Sequence, residues 1–245
     1  TTGAENLAMA GGVALNCVMN ARLRDTGIFH RIWVQPAAGD AGTALGAALW
    51  TDWLERGRRR AYRMDHAFLG PEFSDDEIEA FLRRSKLPYR RMADVADETA
   101  DLLAANKIIG WFQGRMEFGP RALGARSILA SPIEHDMQQR LNDIKDREDF
   151  RPVAPAVLEE EAGHWFRNAE EAPFMLFVFD VLPEQAERIP AVRHVDGTAR
   201  VQTVNRGQHP LYYDLLKAFQ RRTGVPVLVN TSFNTRGEPV VCTPR

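Results

Sequence analysis

Cysteine is nearly absent from this 245-residue chain. Cys17 and Cys242 stand far apart and form no C-x-x-C pair, so neither a disulfide framework nor a paired-thiolate metal site is expected. A reducing cytoplasm is the expected setting. Lysine is scarce too, confined to Lys86, Lys107, Lys145 and Lys217, while arginine is abundant. That bias favours planar, forked donors wherever phosphate or carboxylate must be held, although codon usage alone can produce it. Apolar runs are broken every few residues by Asp, Arg or Gly, which excludes a membrane-spanning segment. The chain opens TTGAENL with no Met, no basic stretch and no apolar stretch, so no signal peptide is expected. No repeat, no low-complexity segment and no G-x-x-x-x-G-K-[ST] occurs, and the last absence excludes a P-loop nucleotidase. Charge is close to balanced, 31 basic against 33 acidic residues for a net −2. The chain is therefore neither a disordered acidic tail nor a basic nucleic-acid module. What remains is a chain of 44% hydrophobic residues, long enough to bury a full core.

The opening residues predict strand, turn, helix, twice over. Asn6–Ala10 leads into Gly11-Gly12 and a helical pattern over Val13–Leu23; Ile32–Val34 leads into Pro36–Gly42 and a small-residue helix over Thr43–Leu54. A Gly-rich turn between strand and helix is where α/β proteins hold anions and nucleotides. Arg56–Arg63 marks a boundary, read as a solvated linker. Ser74 with Glu77 forms a capping box ahead of Ile78, Phe81 and Leu82. Helices are expected over Val95–Asn106, Leu141–Lys145 and Tyr212–Arg222. Strands are expected over Lys107–Phe112, Phe174–Val181, Ala199–Val204 and Val225–Val229. The pattern is an α/β fragment followed by an α+β domain.

The densest chemistry follows Gly110, where Gly114, Gly119 and Gly124 interleave with Arg115, Glu117, Arg121 and Arg126. Glycines let backbone amides approach an anion, and guanidiniums supply forked donors to phosphate oxygens. A surface turn with solvated arginines is the alternative. Lys145, Arg147 and Arg151 form a second group, closed by Pro152 and Pro155. Alone, that group also reads as an exposed charged turn. Asn230, Ser232 and Asn234 end an apolar strand, where they could read a nucleotide or simply make side-chain turns. His194 opens a turn that runs through Asp196 to Arg200, and a lone histidine is more often structural than catalytic. Asp40 could ligate a metal or ribose, but its spacing favours a helix cap.

Taken together, Gly11–Asn16, Gln35–Ala48, Gly119–Gly124, Arg147–Pro152, His194–Thr203 and Asn230–Asn234 resemble the O-carbamoyltransferases of the nodulation and antibiotic-tailoring type, in order and over essentially the whole chain. In that family an actin-like ATPase-fold domain, similar to the tRNA threonylcarbamoyladenosine-forming metalloprotein, precedes a domain resembling the tRNA threonylcarbamoyl-adenylate synthases. The resemblance therefore implies an α/β C-terminal part of the actin-like fold over residues 1–55 and a linker over 56–73. An α+β threonylcarbamoyl-adenylate-synthase-like domain would follow over 74–245, truncated at its C-terminus. The chain is expected to be a fragment: family members are about twice as long, and the paired metal-ligating histidines of their N-terminal half have no counterpart here.

The implied reaction converts carbamoyl phosphate and Mg-ATP to carbamoyl-adenylate and pyrophosphate, then passes the carbamoyl group to a hydroxyl. The acceptor would be a small molecule such as a sugar, an antibiotic or an oligosaccharide. Lys145, Arg147 and Arg121 carry the catalytic expectation. Arg115, Glu117, Arg126, Arg151, His194, Asn230, Ser232 and Asn234 are expected at the ATP or carbamoyl-adenylate. Gly11, Gly12 and Asn16 form the nucleotide loop of the actin-like part, and Asp40 is the one retained ligand of a divalent metal, iron by resemblance. Neither nucleic acid nor membrane is an expected partner. A tRNA-modifying enzyme is the first alternative, disfavoured by the missing basic stripe. A nucleotide-binding module without turnover is the second.

Overall fold

The computed structural model describes residues 3–57 and 63–245. Residues 58–62, the middle of the basic stretch in the expected linker, lie outside the described residues. The architecture is mixed α/β, with one five-stranded sheet and two strand pairs among the described residues. No helix among the described residues is long and apolar enough to cross a membrane.

The N-terminal part pairs β1 (Asn6–Met9) in parallel with β2 (Arg31–Val34), Asn6 opposite Arg31. The helix expected over Val13–Leu23 is broken. Gly12–Leu15 makes a 3-10 turn and α1 (Cys17–Asp25) starts afresh. Asn16 causes the break: its backbone is extended (φ −76°, ψ 95°), and its Oδ1 accepts from the Met19 amide at 3.0 Å, an N-cap. α2 (Ala41–Arg56) runs past both expected ends and stops at Gly57, whose φ of 57° suits a glycine C-cap. Gly42 lets α2 start against the preceding turn, since a Cβ there would lie 2.0 Å from the Ala37 carbonyl oxygen. Farther along, Leu49, Trp50, Trp53 and Leu54 stay exposed.

The remaining elements are α3 (Asp75–Arg84), α4 (Val95–Ala104), β3 (Ile109–Phe112), β4 (Arg126–Ala130), α5 (Met137–Ile144), β5 (Ala154–Leu158), α6 (Ala162–Trp165), β6 (Phe179–Asp180), β7 (Thr198–Ala199), β8 (Gln202–Val204), α7 (Pro210–Thr223) and β9 (Val227–Ser232). Ser74 and Glu77 close both bonds of the expected capping box on α3. The large sheet has the order β3-β4-β9-β5-β8, antiparallel except for the parallel pair β5–β8. α7 buries Tyr212, Leu215, Leu216 and Phe219, and α4 buries Ala96, Thr99, Ala100 and Leu103. The two helices are also tied by Arg222, which bonds Asp97 at 2.8 Å and Asp101 at 2.6 Å. Truncating Leu215 to alanine in this core would cost about 2–5 kcal/mol.

Three sequence expectations change. The strand expected over Phe174–Val181 is reduced to β6, because Leu176 is instead buried with Ala14, Val34 and Ala38 of the N-terminal part. Asn20 fixes this crossing by donating from Nδ2 to the carbonyls of Ala14 and Leu176. The strand expected over Ala199–Val204 is split between two sheets, with Arg200 and Val201 at the joint. Finally, β4 and β5 are strands that no expectation covered. Every residue of both is buried, so neither shows alternation. Residues 67–71, within the expected linker, run along 116–118 through backbone bonds such as Gly70 N to Met116 O at 2.8 Å.

Candidate functional site

α5 ends at Ile144, so Lys145 and Arg147 enter the loop that follows it; β9 ends at Ser232, which places Asn234 just beyond the sheet. The fold brings these two sequence-distant groups into contact. Lys145 Nζ donates to the Ser232 carbonyl at 2.6 Å, the Asn234 carbonyl at 2.8 Å and Asn234 Oδ1 at 2.9 Å, with Ser232 Oγ at 3.2 Å. Ser232 Oγ donates in turn to Asn234 Oδ1 at 2.7 Å. Burial, reinforced by the neighbouring Arg147 charge, pushes the Lys145 ammonium down to about 8.

Arg147 is the next cation in a chain of four. Its charge repels that of Arg200, which in turn repels Arg121. Burial is the largest influence on all three guanidiniums and lowers each below the ordinary arginine range. Among the described residues no carboxylate forms an ion pair with Lys145, Arg147, Arg121 or Arg200. Arg121 Nε, Arg147 Nη2 and Arg200 Nε are buried N–H groups with no acceptor in the protein. Lys145 is buried and the three arginines half-buried, with Glu238 and Glu148 offsetting part of the charge from a distance; cations withdrawn from water without an ion-pair partner are costly, so the arrangement calls for an anion. Arg200 lay within a motif singled out in the sequence, yet was not itself assigned a role. Its place in the His194–Gln202 motif was the available signal; the break between β7 and β8 that frees its side chain appears only in the fold.

The N-terminal part borders this cluster. Arg121 Nη2 reaches the Leu15 carbonyl at 3.4 Å, and the Cys17 side chain hydrogen-bonds Arg200. Gly119 (φ 129°) lies so close to the Pro36–Ala37 turn that a Cβ would stand 3.0 Å from the Pro36 carbonyl oxygen. His194 faces the same cluster: burial, then repulsion from Arg200 against attraction by Asp196, leaves its pKa lowered. Its Nδ1 pairs with Thr198 Oγ1 at 3.0 Å.

Several expected ligands do other work. Arg126, fully buried, spends Nη1 on the carbonyls of Gln113, Gly114 and Ala125 and Nη2 on that of Pro71, with its guanidinium 3.6 Å from the centre of the Phe112 ring. Its terminal nitrogens thus tie Pro71 to the loop between β3 and β4, while its Nε is buried without an acceptor. Glu117 folds the arginine loop around itself: Oε1 accepts from the amides of Leu123 at 2.6 Å, Ala125 at 2.8 Å and Arg126 at 3.3 Å. Asn230 lies beneath that loop, donating to the Ala122 carbonyl and to Gln202 Oε1, while Gln202 donates to the Leu123 carbonyl. His209 supports it too, bonding the Gly124 carbonyl at 2.9 Å, and burial pushes its pKa down to about 4. Arg115 is exposed, with Nη2 3.3 Å from the Leu69 carbonyl. Arg151 is exposed and paired with Glu148 at 2.7 Å.

In the N-terminal part, Gly11 (φ 98°) and Gly12 form an exposed turn, tied through the Gly11 amide to the Ala38 carbonyl at 2.7 Å. Asn16 is engaged as the α1 cap. Asp40 stands at the α2 cap position, but its carboxylate makes no cap bond and is exposed. No group of three His, Cys, Asp or Glu that could hold a metal exists among the described residues. One carboxylate does not hold a divalent ion, so the residues present do not make a metal centre. A cavity of about 580 Å³ lies elsewhere, lined by Trp33 and Leu49 and by Phe174 and Phe177. None of Lys145, Arg147, Arg121 and Arg200 lines it; the unpaired charges, not the cavity, mark the site.

Two family models match the chain: Carbamoyltransferase N-terminus over residues 1–49 and Carbamoyltransferase C-terminus over residues 100–245. An uncharacterized protein of Synechocystis is 48% identical, over 99% of this chain and 44% of its own length. Nodulation protein NolO of Bradyrhizobium diazoefficiens is 46% identical, over 98% of this chain and 45% of its own. Nodulation protein U of Rhizobium fredii is 39% identical, over 96% and 39%. The chain thus spans less than half the length of these curated relatives. Among solved structures, T. kodakarensis HypF aligns with a TM-score of 0.43 at 16% identity, over 63% of this chain and 19% of that one. P. abyssi Sua5 aligns with a TM-score of 0.40 at 13% identity, over 59% and 40%.

Proposed function

The chain belongs to the carbamoyltransferase family, and from that premise we propose that it carries the ATP-dependent activation site of an O-carbamoyltransferase. Carbamoyl phosphate, ATP and water would give carbamoyl-adenylate, pyrophosphate and phosphate. The carbamoyl group would then pass to a hydroxyl of a small-molecule acceptor, with AMP released. The observation that carries this reading is the set of four cations, Lys145, Arg147, Arg121 and Arg200, none ion-paired with a carboxylate among the described residues and with three buried N–H groups unanswered.

A polyphosphate and a second phosphorylated substrate supply the missing negative charge. Arg121 and Arg200 would take phosphate oxygens through forked donors. Lys145 and Arg147 would lie at the reacting end, where charge develops on the departing pyrophosphate. Ser232 and Asn234 already bind the Lys145 ammonium through side-chain and main-chain oxygens, so an anion that draws Lys145 away frees them for the nucleotide. His194, held neutral by burial and Arg200, offers a hydrogen-bonding edge without adding a fifth charge. Little covalent work falls to the protein: it must bring two anions together and hold them dry. Mg²⁺ would arrive with ATP, and no step is assigned to a metal held by Asp40. The site would be a shared one, since Leu15, Pro36 and Cys17 of the N-terminal part touch the residues that line it.

The test is pyrophosphate release from ATP. The proposal requires release that depends on carbamoyl phosphate and yields AMP once the adenylate hydrolyses. Hydrolysis of ATP to ADP, or pyrophosphate release unaffected by carbamoyl phosphate, would contradict it. Retention of tRNA on a filter at low salt would favour a nucleic-acid substrate instead.

A further inference from the structure

Arg147 is useful to an anion only if its guanidinium is aimed, and the residue that aims it is Asn142. Asn142 is fully buried on the last turn of α5. Its Oδ1 accepts from Arg147 Nε at 2.6 Å. Its Nδ2 donates to the carbonyls of Asp149 at 2.9 Å and Arg151 at 3.0 Å, and its own carbonyl accepts the Arg147 amide at 3.1 Å. One side chain therefore ties both arms of the loop from 145 to 151 and the guanidinium between them. Arg147 Nη2, which shares the Nε edge of the guanidinium, is buried and left without an acceptor.

The chemistry calls for a side-chain amide here. Arg147 Nε can only donate and the two carbonyls can only accept, so the amide must offer an acceptor on one side and donors on the other. Aspartate would keep the first bond but set a carboxylate against two carbonyl oxygens and neutralise Arg147. Leucine would lose all three bonds. We propose that Asn142 is a positioning residue of the anion site, which fixes the Arg147 guanidinium by its Nε and so presents the unanswered Nη2 to the phosphate groups of a nucleotide. This rests on the activation-site reading above, and it deepens that reading by one residue.

A second residue separates aiming from loop support. Gln138 Nε2 donates to the same two carbonyls, at 3.3 Å to Asp149 and 3.1 Å to Arg151, but does not touch Arg147. Binding of ATP by the full chain should be compared across wild type, R147A, N142A, N142D, Q138A and N142A/R147A. N142A and N142D should each weaken ATP about tenfold or more, as loss of a charge-assisted contact does. Q138A should leave affinity unchanged, and the double variant should bind no worse than R147A. In the free protein the Arg147 Nε–H resonance should exchange slowly with solvent in wild type and in Q138A, and rapidly in N142A. N142D, nearly isosteric, serves where N142A fails to fold. Multiplicative losses in the double variant, or an equal loss in Q138A, would overturn the positioning role and leave the activation site standing. Unimpaired binding by R147A would instead remove Arg147 from the site, and Asn142 with it. A protected Nε–H in wild type alongside absent pyrophosphate release would sink the activation reading while leaving the geometry of the pair intact.

Discussion

Raising the pH should switch off anion binding at Lys145 in a range where few other groups titrate. In the free protein this ammonium is pushed down to about 8 by burial and by Arg147. A bound polyphosphate favours the charged form, so ligation raises the value again. The sign follows: affinity is fully present below about pH 8, is lost as pH rises through it, and levels off only above the bound-state value. Well above that point each unit should weaken ATP by about tenfold, which amounts to roughly fifteenfold between pH 8, where half the ammonium is already lost, and pH 9.5. The terminal phosphate of ATP is fully ionised across this interval, so the ligand contributes no slope of its own. Titration calorimetry in buffers of different ionisation enthalpy, from about pH 7 to pH 9.5, reads both the affinity and the proton taken up. Lys145→Met should bind weakly but with a flat profile, and Lys145→Arg should also be flat. A wild-type affinity constant to pH 9.5, or an unchanged slope in Lys145→Met, would refute the argument. The first outcome would mean that the ammonium is not at the phosphates; the second, that another group carries the proton.

The remaining predictions sort site residues from structural ones. Arg200→Gln should weaken ATP by about tenfold or more, through one lost forked donor, while leaving the urea midpoint equal or higher because Arg121 and Arg147 lose a repelling neighbour. Lower stability with normal affinity would make Arg200 a structural residue. Arg126→Lys should do the reverse, costing about 2–4 kcal/mol in urea unfolding as the carbonyl contacts and the Phe112 stack are lost, with ATP affinity of the folded protein preserved. Gly124→Ala should cost about 2–4 kcal/mol, since φ is 108° and the new methyl would lie 2.4 Å from the Tyr212 ring; a melting temperature within a degree of wild type would show that the loop has room.

Much of the site could be read before the fold was known, but only as types of residue. Lys145, Arg147, Ser232 and Asn234 stood out through the family resemblance; Lys145 is hydrogen-bonded directly to Ser232 and Asn234, while Arg147 bonds Asn142. What the residue string could not distinguish was an arginine facing an anion from one facing carbonyls. Arg121 and Arg126 occupy the same Gly-rich loop and each leaves its Nε unanswered, yet Arg121 Nη2 meets the Leu15 carbonyl at 3.4 Å while the two terminal nitrogens of Arg126 are spent on four main-chain oxygens. Glu117 and Asn230 looked like ligands for the same reason, since polar residues that hold a loop and polar residues that hold a substrate share one chemistry. Arg200 joins Arg121 across a long stretch of sequence, a contact that only the tertiary fold creates. Among the elements, amphipathic helices and the Ser74 cap were legible because one face meets water. β4 and β5 were not, because a strand buried on both faces shows no period and Pro155 argued for an exit. The run Phe174–Val178 misled in the opposite sense: its apolar residues cover the N-terminal part without joining a ladder.

The central claim is that this cation cluster makes an adenylate from ATP and a carbamoyl donor, and isotope exchange tests it without needing the acceptor. Labelled pyrophosphate should enter ATP when wild-type protein is supplied with carbamoyl phosphate. It should enter far more slowly without that donor, and at least a hundredfold more slowly in Arg147→Ala, as loss of a charge-stabilising donor predicts. Exchange that proceeds equally well without carbamoyl phosphate, or that survives intact in Arg147→Ala, would contradict the account.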